Sequence, residues 1–498
     1  MEAVAISPPS PRISVGGGNC GGAAGSLPLS GPAMSSQAAP LTGAPAPTLR
    51  AEFGATMALA WPLAAANLLQ MMVHAIDVIF VARLGEASLA AASLGISIFG
   101  LLLWTGTGLV GAAAPLIAAE LGRRKHAVRE VRRTVRMALW LSLLVALAAM
   151  GVCAAGGAIM RVTGQAPELS AHAAGFLRVL MWAMFPMIAA SVLRVFVSAL
   201  GRPKIATAIT FLALFVNALG NWVLVFGHLG LPALGLHGSA LSSIITSSVM
   251  LLAYVVVIQS DRRLRRYHLF GNWWRPEGPR FWEIVRIGTP IGLIILAEAG
   301  LFTGAAFLMG RIGEEQLAGH TLALQIAALA FQVPFGVAQA ATIRVGLSYG
   351  ARDHHGIALA GQASLILGIG FMVVTAAVMW LFPRLVLSIY VDVDAARNAA
   401  LVGYAMQFLV VAAAFQLFDG AQTVAAGVLR GLQDTRVPMI IAVCGYWLAG
   451  YGAAIYLGFW TPLAGVGIWI GLAVGLVVVA GLLLMRWRMR ARLGLLPA

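Results

Sequence analysis

The sequence predicts an all-α polytopic membrane protein, with twelve transmembrane helices in two pseudo-symmetric six-helix bundles. Three observations carry that expectation. First, 60% of the 498 residues are hydrophobic and only 10% are charged, with a mean hydropathy of +0.89, far from the balance of a soluble domain. Second, residues 87–119, 137–160, 316–343 and 354–383 contain no Asp, Glu, Lys or Arg, and 205–260 and 437–485 are uncharged over lengths that allow two crossings each at ~20 residues per crossing. Third, the stretch from Trp61 to Glu86 recurs 228 positions on: Pro62 falls on Pro290, Arg83 on Arg311, Gly85-Glu86 on Gly313-Glu314, and then, without a gap, Gly122 and Arg124 on Gly350 and Arg352.

The elements follow in order. Residues 1–53 are rich in Gly, Pro, Ala and Ser and lack the basic start and apolar centre of a signal peptide, so they read as a disordered cytoplasmic tail. A first six-helix bundle occupies 54–260, a cytoplasmic linker 261–283, a second bundle 284–486 and a cytoplasmic tail 487–498. The spans lie near 55–82, 88–119, 135–160, 172–199, 205–227, 238–259, 284–310, 316–349, 355–383, 397–430, 437–460 and 463–486, the uncharged pairs being split at His228 to Pro232 and at Trp460 to Pro462. Six spans per half make the repeat parallel, about an axis along the membrane normal. The linker carries Arg beside Trp273, Trp274 and Trp282, which suits either an amphipathic segment at the membrane interface or a solvated connection.

The net charge of +15 is a topology signal. Most of the 33 Lys and Arg fall in the tail, the even-to-odd loops and the C-terminus. Arg83, Arg161, Arg311, Arg384 and Arg397 fall on the other side, and Arg178 and Arg194 lie within the fourth span. This is the positive-inside pattern with both ends cytoplasmic, so nucleic acid is not an expected partner.

Three carboxylates lie inside spans: Asp77, Glu298 and Asp419. A charge in the bilayer interior costs at least ~2.5 kcal/mol and needs a partner, a cavity or a proton. Glu298 lies twelve residues beyond Arg286, ~18 Å, and Asp419 eleven before Arg430, ~17 Å, at 1.5 Å per residue. Those two reach similar depth in the same half and could share one cation or proton. Asp77, six residues before Arg83, is shallower and belongs to the other half.

Weaker signals surround the acids. Asn217 and Asn221 are four apart and share a helix face, where they either line a cavity with Asp77 or bond between helices. Gln70 lies two turns before Asp77 with the same two readings, and Gln416 stands beside Phe415 one turn before Asp419. Met181, Met184 and Met187 suit a promiscuous surface or ordinary packing. Arg194 and Arg430, near cytoplasmic helix ends, are expected to snorkel. Pro62 and Pro290 either bend helices between states or merely kink them.

Enzymatic readings fare poorly. Lys125 is followed by His126 and Lys204 by Ile205, so no Walker A loop exists, and no His-Glu-x-x-His occurs. Cys20, Cys153 and Cys444 are scattered and imply no metal cluster or disulfide framework. No cofactor is expected. What remains as an energy source is an ion gradient.

At this point the residues resemble a known family. Ile76-Asp77 with Arg83-Leu-Gly85, Leu193-Arg194 with Gly201-Arg-Pro203, Asn217 with Asn221-Trp222, Thr289-Pro290 with Glu298, Ile343-Arg344-Val-Gly346, Phe418-Asp419-Gly-Ala-Gln422 and Leu429-Arg430-Gly431 with Asp434 are similar to the motifs of the MATE (multidrug and toxic compound extrusion) transporters, NorM-like branch, over roughly 55–486. The resemblance implies cation-driven efflux of amphiphilic organic cations. It places Glu298 and Asp419 on the cation-binding acids and Asp77 on the acid of the first helix tied to drug and proton coupling. One departure is Phe415, where some members carry a tyrosine; the branch favours Na+, and the missing hydroxyl argues against it. The expectation is therefore a secondary antiporter, not an enzyme. It would act as a monomer in lipid, in the inner membrane of a bacterium, with Na+ or H+ as coupling ion; Glu298 and Asp419 would hold Na+ and Gln70, Asn217, Asn221, Phe415 and Gln416 would line the substrate cavity. The alternatives are a lipid-linked oligosaccharide flippase of the same superfamily, which needs a strongly cationic cavity, a major-facilitator drug transporter, whose signature Gly122-Arg-Arg-Lys-His126 lacks, and a polytopic membrane enzyme, which needs its catalytic groups gathered at one interface.

Overall fold

A computed structural model describes residues 48–123, 127–271 and 277–497. Among them twelve helices are long and apolar enough to cross a membrane: α1 (Leu49–Ala82), α2 (Glu86–Arg123), α3 (Ala127–Ala154), α4 (Pro167–Ala199), α5 (Pro203–Phe226), α6 (Gly235–Ser260), α7 (Gly278–Ile312), α8 (Glu314–Gly350), α9 (His354–Leu381), α10 (Ala399–Gly431), α11 (Arg436–Phe459) and α12 (Ala464–Arg488). Each overlaps one expected span. Helix α2 is interrupted by a turn at 111–112, α4 tightens into a 3-10 turn at Met181–Ala183, and α11 widens into a π segment at Gly445–Tyr451. With an even number of crossings, both ends of the bundle emerge on one side, here called the terminal side.

The boundaries on that side differ from expectation. Helix α1 begins at Leu49, inside the segment expected as tail; Thr48 caps it, its Oγ1 accepting from Ala51 N at 3.3 Å. Helix α3 begins at Ala127, and α7 at Gly278, inside the expected linker. Hydropathy marks where a helix leaves the bilayer, but these helices continue because their polar turns find partners. The first part of the linker is not a solvated connection. Asp261 caps the short helix Arg262–Arg265 by accepting from Arg263 N at 2.8 Å. Leu264, Tyr267 and Leu269 are buried, and Arg132 donates to Tyr267 O at 2.7 Å. Trp282 stands exposed on α7. Residues 1–47, Arg124, Lys125 and His126, and Trp273 and Trp274 lie outside the described residues.

Helices in lipid gain little from burying apolar surface against one another and rely on close packing, so small residues collect where backbones meet. The seam between the halves follows the repeat. A Cβ at Gly122 would lie 2.1 Å from the Leu347 carbonyl oxygen, and one at Gly350 1.9 Å from that of Ala119; Ala119 and Leu347, like Gly122 and Gly350, are 228 positions apart. Gly336 against Ala64 and Gly108 against Gly292 form a second equivalent pair of approaches. Thus α1 meets α8 and α2 meets α7 across a pseudo-two-fold axis, with α2 also meeting α8, from the terminal side to about mid-membrane.

Ion pairs close the same end. Glu52 on α1, 6% exposed, accepts from Arg344 on α8 at Nε (2.7 Å) and Nη2 (2.5 Å), the bidentate geometry that makes such pairs strong. Arg280 on α7 donates to Glu120 on α2 and Glu130 on α3, both at 3.0 Å, and Glu277 accepts from Arg133 and Arg136 of α3. Glu52 and Arg280 are repeat-equivalent positions carrying opposite charges, so Glu52 with Arg344, and Glu120 and Glu130 with Arg280, run from an acid in the first half to an arginine in the second, while the Glu277 pairs run the other way. Removing one partner of a buried pair strands the other, at a cost of up to ~3–5 kcal/mol, less here because Arg344 keeps 27% side-chain exposure. Glu52→Gln is expected to lower the melting temperature of the purified protein, and the exchange Glu52→Arg with Arg344→Glu to recover more than half of the loss. If the exchange is as unstable as the two singles combined, the pair does not couple the halves.

Candidate functional site

The seam leaves a cavity of about 230 Å³ in the first half, beyond the latches. Its wall takes side chains from α1, α2, α4, α5 and α6, with Gln332 and Phe335 of α8 completing it from the other half. Helix α1 supplies one whole side. Asn67, Gln70, Met71, His74 and Asp77 follow at intervals of three or four or their sums, so one face of the helix runs the length of the cavity.

Asp77 is the polar centre of the end of the cavity away from the terminal side. Its Oδ1 accepts from Asn217 Nδ2 at 2.9 Å and Asn221 Nδ2 at 2.7 Å, and its Oδ2 lies 3.4 Å from the Ser243 hydroxyl. Both asparagines are fully buried, and Ser242 Oγ donates to the Asn217 carbonyl at 3.1 Å, tying α6 to α5. The four-residue spacing of Asn217 and Asn221 thus delivers two amides to one carboxylate. The two readings of these asparagines are both realised, since they bond between helices and Asn217 lines the cavity. Gln70 lines it too.

Glu298 of α7 and Asp419 of α10 converge in the second half. Each accepts from the same amide, Gln422 Nε2, at 3.2 Å. Tyr446 of the π segment donates to Gln422 Oε1 at 2.6 Å and fixes which way that amide points. Asp419, Gln422 and Tyr446 are buried. Two carboxylates brought to one point suit a small hard cation or a shared proton. Among the described residues no group of three or more His, Cys, Asp or Glu is placed to hold a metal ion, so further ligands to a cation here would be neutral oxygens.

Three expected cavity residues do not border it: Asn221 bonds Asp77 without lining the cavity, and two others lie elsewhere. Phe415 is buried in the second half, its ring 5.5 Å from that of Trp469 and 6.0 Å from that of Phe302. Gln416 is also fully buried, and neither borders the cavity. Proximity to Asp419 along α10 suggested them, but the cavity belongs to Asp77. Arg194 does not snorkel. It sits more than a turn from the end of α4 and lines the cavity, its Nη1 3.4 Å from Asn67 Oδ1. The methionine stripe divides, Met187 facing the cavity and Met184 buried in packing. Gln422 was quoted only as a motif residue without a role, and Tyr446 and the polar stripe Ser243, Thr246, Ser247 and Tyr254 on α6 were missed, though the spacing of that stripe was visible as a polar face in an uncharged helix.

Comparisons with known proteins bear on the family and the fold. The MatE family model matches residues 62–223 and again 290–455, one copy per half. A "Probable multidrug resistance protein NorM" of Mesorhizobium japonicum is 46% identical over 450 residues, covering 90% of this chain and 96% of that protein. Namesakes in Brucella suis and a Synechococcus are 42% and 36% identical, each over 88% of this chain and 93% and 94% of their own. Among solved structures, the eukaryotic MATE transporter AtDTX14 superposes with a TM-score of 0.79 at 20% identity, over 89% of this chain and 98% of its own. A MOP superfamily transporter from Pyrococcus furiosus superposes with the same score at 21% identity, over 89% of this chain and 96% of its own. At that identity the likeness is one of fold.

Proposed function

The chain belongs to the MatE family of membrane transporters, and from that premise we propose that it is a multidrug efflux antiporter, exporting amphiphilic organic cations in exchange for inward Na+ or H+. The observation that supports this most is the division of labour between halves: Asp77 stands in a cavity of about 230 Å³, while Glu298 and Asp419 share one amide elsewhere. A cationic substrate meets a carboxylate in the first, and a coupling cation meets two in the second. Driving a monovalent cation out against ~100 mV costs ~2.3 kcal/mol; one incoming cation cancels that, leaving ~1.4 kcal/mol for each tenfold of its own gradient. The protein acts as a monomer in a bacterial inner membrane, with both ends and the ion-pair latches on the cytoplasmic side. Export then requires the latches to open when the inner state forms and to close when the cavity faces out. The flippase alternative wants a strongly cationic cavity, and this one balances one acid against one arginine.

The test is efflux of a cationic dye from proteoliposomes. An inward Na+ gradient at fixed pH is expected to accelerate release. Response to an inward proton gradient alone would assign the proton instead, and no response to either would overturn the antiporter.

A further inference from the structure

The second half holds a polar cluster that neither the acid pair nor the cavity uses. His320 of α8 is 1% exposed, and among the described residues neither of its ring nitrogens has a hydrogen-bond partner. Trp469 of α12 and Gln416 of α10 are fully buried, and the indole Nε1 of the first and both amide atoms of the second are equally unbonded. Buried polar groups are nearly always bonded, and each exception calls for a cause. An ionisable side chain within a membrane span marks a pathway or a ligand by default.

The three side chains form a descending series. Helices α8, α10 and α12 all return toward the terminal side, so depth is read along each from its start. Gln316 and Gly465 make the first rung, the Gly465 N–H donating to Gln316 Oε1 at 2.9 Å. One turn deeper on both helices, His320 and Trp469 make the second, their rings 5.4 Å apart. Trp469 in turn lies 5.5 Å from the ring of Phe415, the neighbour of Gln416. Asp419 follows Gln416 by three residues, on the same side of α10. The series therefore runs from the end of the bundle away from the terminal side down to the acid pair.

The direct approach to that pair is closed. Phe302 stands one turn beyond Glu298 on α7 and Phe415 one turn before Asp419 on α10, so both rings lie outward of the acids, 6.0 Å from each other. Apolar constrictions of this kind hold back a hydrated ion. The orphaned atoms skirt the rings. They include donors and acceptors, since a neutral imidazole and an amide offer both and an indole only a donor. They do not satisfy one another, so their partner must both donate and accept, as water does.

We propose that His320, Trp469 and Gln416 line a hydrated entry path, separate from the first-half cavity, along which the coupling cation reaches Asp419 and Glu298 from the side away from the chain termini. The path serves the acids without being their site, so it sets how fast the ion arrives and leaves the affinity of the pair alone. The inference rests on the antiporter reading above.

Access is tested by labelling. In a background with the 3 native cysteines replaced by alanine, His320→Cys is treated with a membrane-impermeant methanethiosulfonate from the side away from the termini. Ala376→Cys is the control, because Ala376 is 0% exposed and lies as near its own end of α9 as His320 does to the start of α8. His320→Cys is expected to react at least about tenfold faster, since a packed thiol reacts only through rare openings. Equal rates overturn the path. Role is tested by setting rate against equilibrium. His320→Leu should slow ion-driven dye efflux from proteoliposomes by about tenfold, the loss of one bond to a charged or hydrated species, and His320→Gln should return most of the rate. The Na+ and proton concentrations that half-maximally raise the melting temperature of the purified protein should not move in either variant. Midpoints that shift as far as the rate, a glutamine variant as slow as the leucine one, or wild-type efflux in His320→Leu each overturn the path. Wild-type efflux that answers to neither gradient strikes the antiporter reading instead, while the labelling still decides on the path.

Discussion

Exchanging Asp77 for asparagine is expected to cut gradient-driven efflux of a cationic dye by about tenfold or more, with insertion and folding near normal. The magnitude follows from the chemistry of the contact, since a charge-assisted interaction is worth about 1.5–3 kcal/mol and 1.4 kcal/mol is tenfold. The folding half of the expectation follows from the shell. Asn217 and Asn221 both donate to Asp77 Oδ1, and the carboxamide oxygen of an asparagine can take the same place. Its new N–H2 group then turns toward Ser243, whose hydroxyl is an acceptor as readily as a donor. The substitution therefore keeps the geometry and removes the charge. Efflux in energised cells, read beside the elution profile of the solubilised protein, separates the two. Export at the wild-type rate would mean that Asp77 serves packing between α1, α5 and α6 and that the cavity recognises its cation elsewhere.

Much of this arrangement was legible from residues alone, for identifiable reasons. Apolar runs of bilayer length and the 228-residue repeat located all twelve crossings, because lipid imposes length and composition directly on the chain. Asp77, Glu298 and Asp419 stood out because a carboxylate in hydrocarbon is anomalous wherever it points. The meeting of Asn217 and Asn221 on Asp77 was half legible. Their shared face was visible, while their partner depended on how α5 packs on α1. What escaped was set by contacts between helices distant in the chain. Gln422 lies one turn from Asp419, an ordinary polar residue until Tyr446, on α11, turns its amide toward the two acids. Phe415 and Gln416 were misplaced because nearness along α10 says nothing about which half holds the cavity. Arg194 was misread because its position near the end of α4 suggested solvent, whereas Asn67 on α1, in the same half, meets it inside. The helix starts at Leu49 and Gly278 were missed for a related reason. Glu52 and Arg280 look like loop charges until Arg344 and Glu120 arrive from other helices to pair with them.

The second large effect is expected at the acid pair. Glu298→Gln and Asp419→Asn should each abolish gradient-driven transport, and the double variant should be little worse than either single. The reason is that Glu298 and Asp419 act as one unit. Both accept from the single nitrogen of Gln422 at 3.2 Å, so when both are ionised their repulsion is relieved only by a cation or a proton between them, and neither carboxylate alone provides that site. Residues that share one partner give non-additive losses. Gln422 adds an internal control. Its amide is oriented by Tyr446 at 2.6 Å, so Tyr446→Phe should weaken coupling without removing a charge, raising the cation concentration needed for half-maximal efflux and sparing the maximal rate more than either acid variant does. The measurement is dye efflux from proteoliposomes over a series of inward Na+ gradients at fixed pH, repeated as a series of proton gradients at fixed Na+. Full activity in either single amide variant would overturn the shared site. Additive losses in the double variant would divide it into two independent acids, and Gln422 would then be a bridge between helices α7, α10 and α11 with no part in binding the ion.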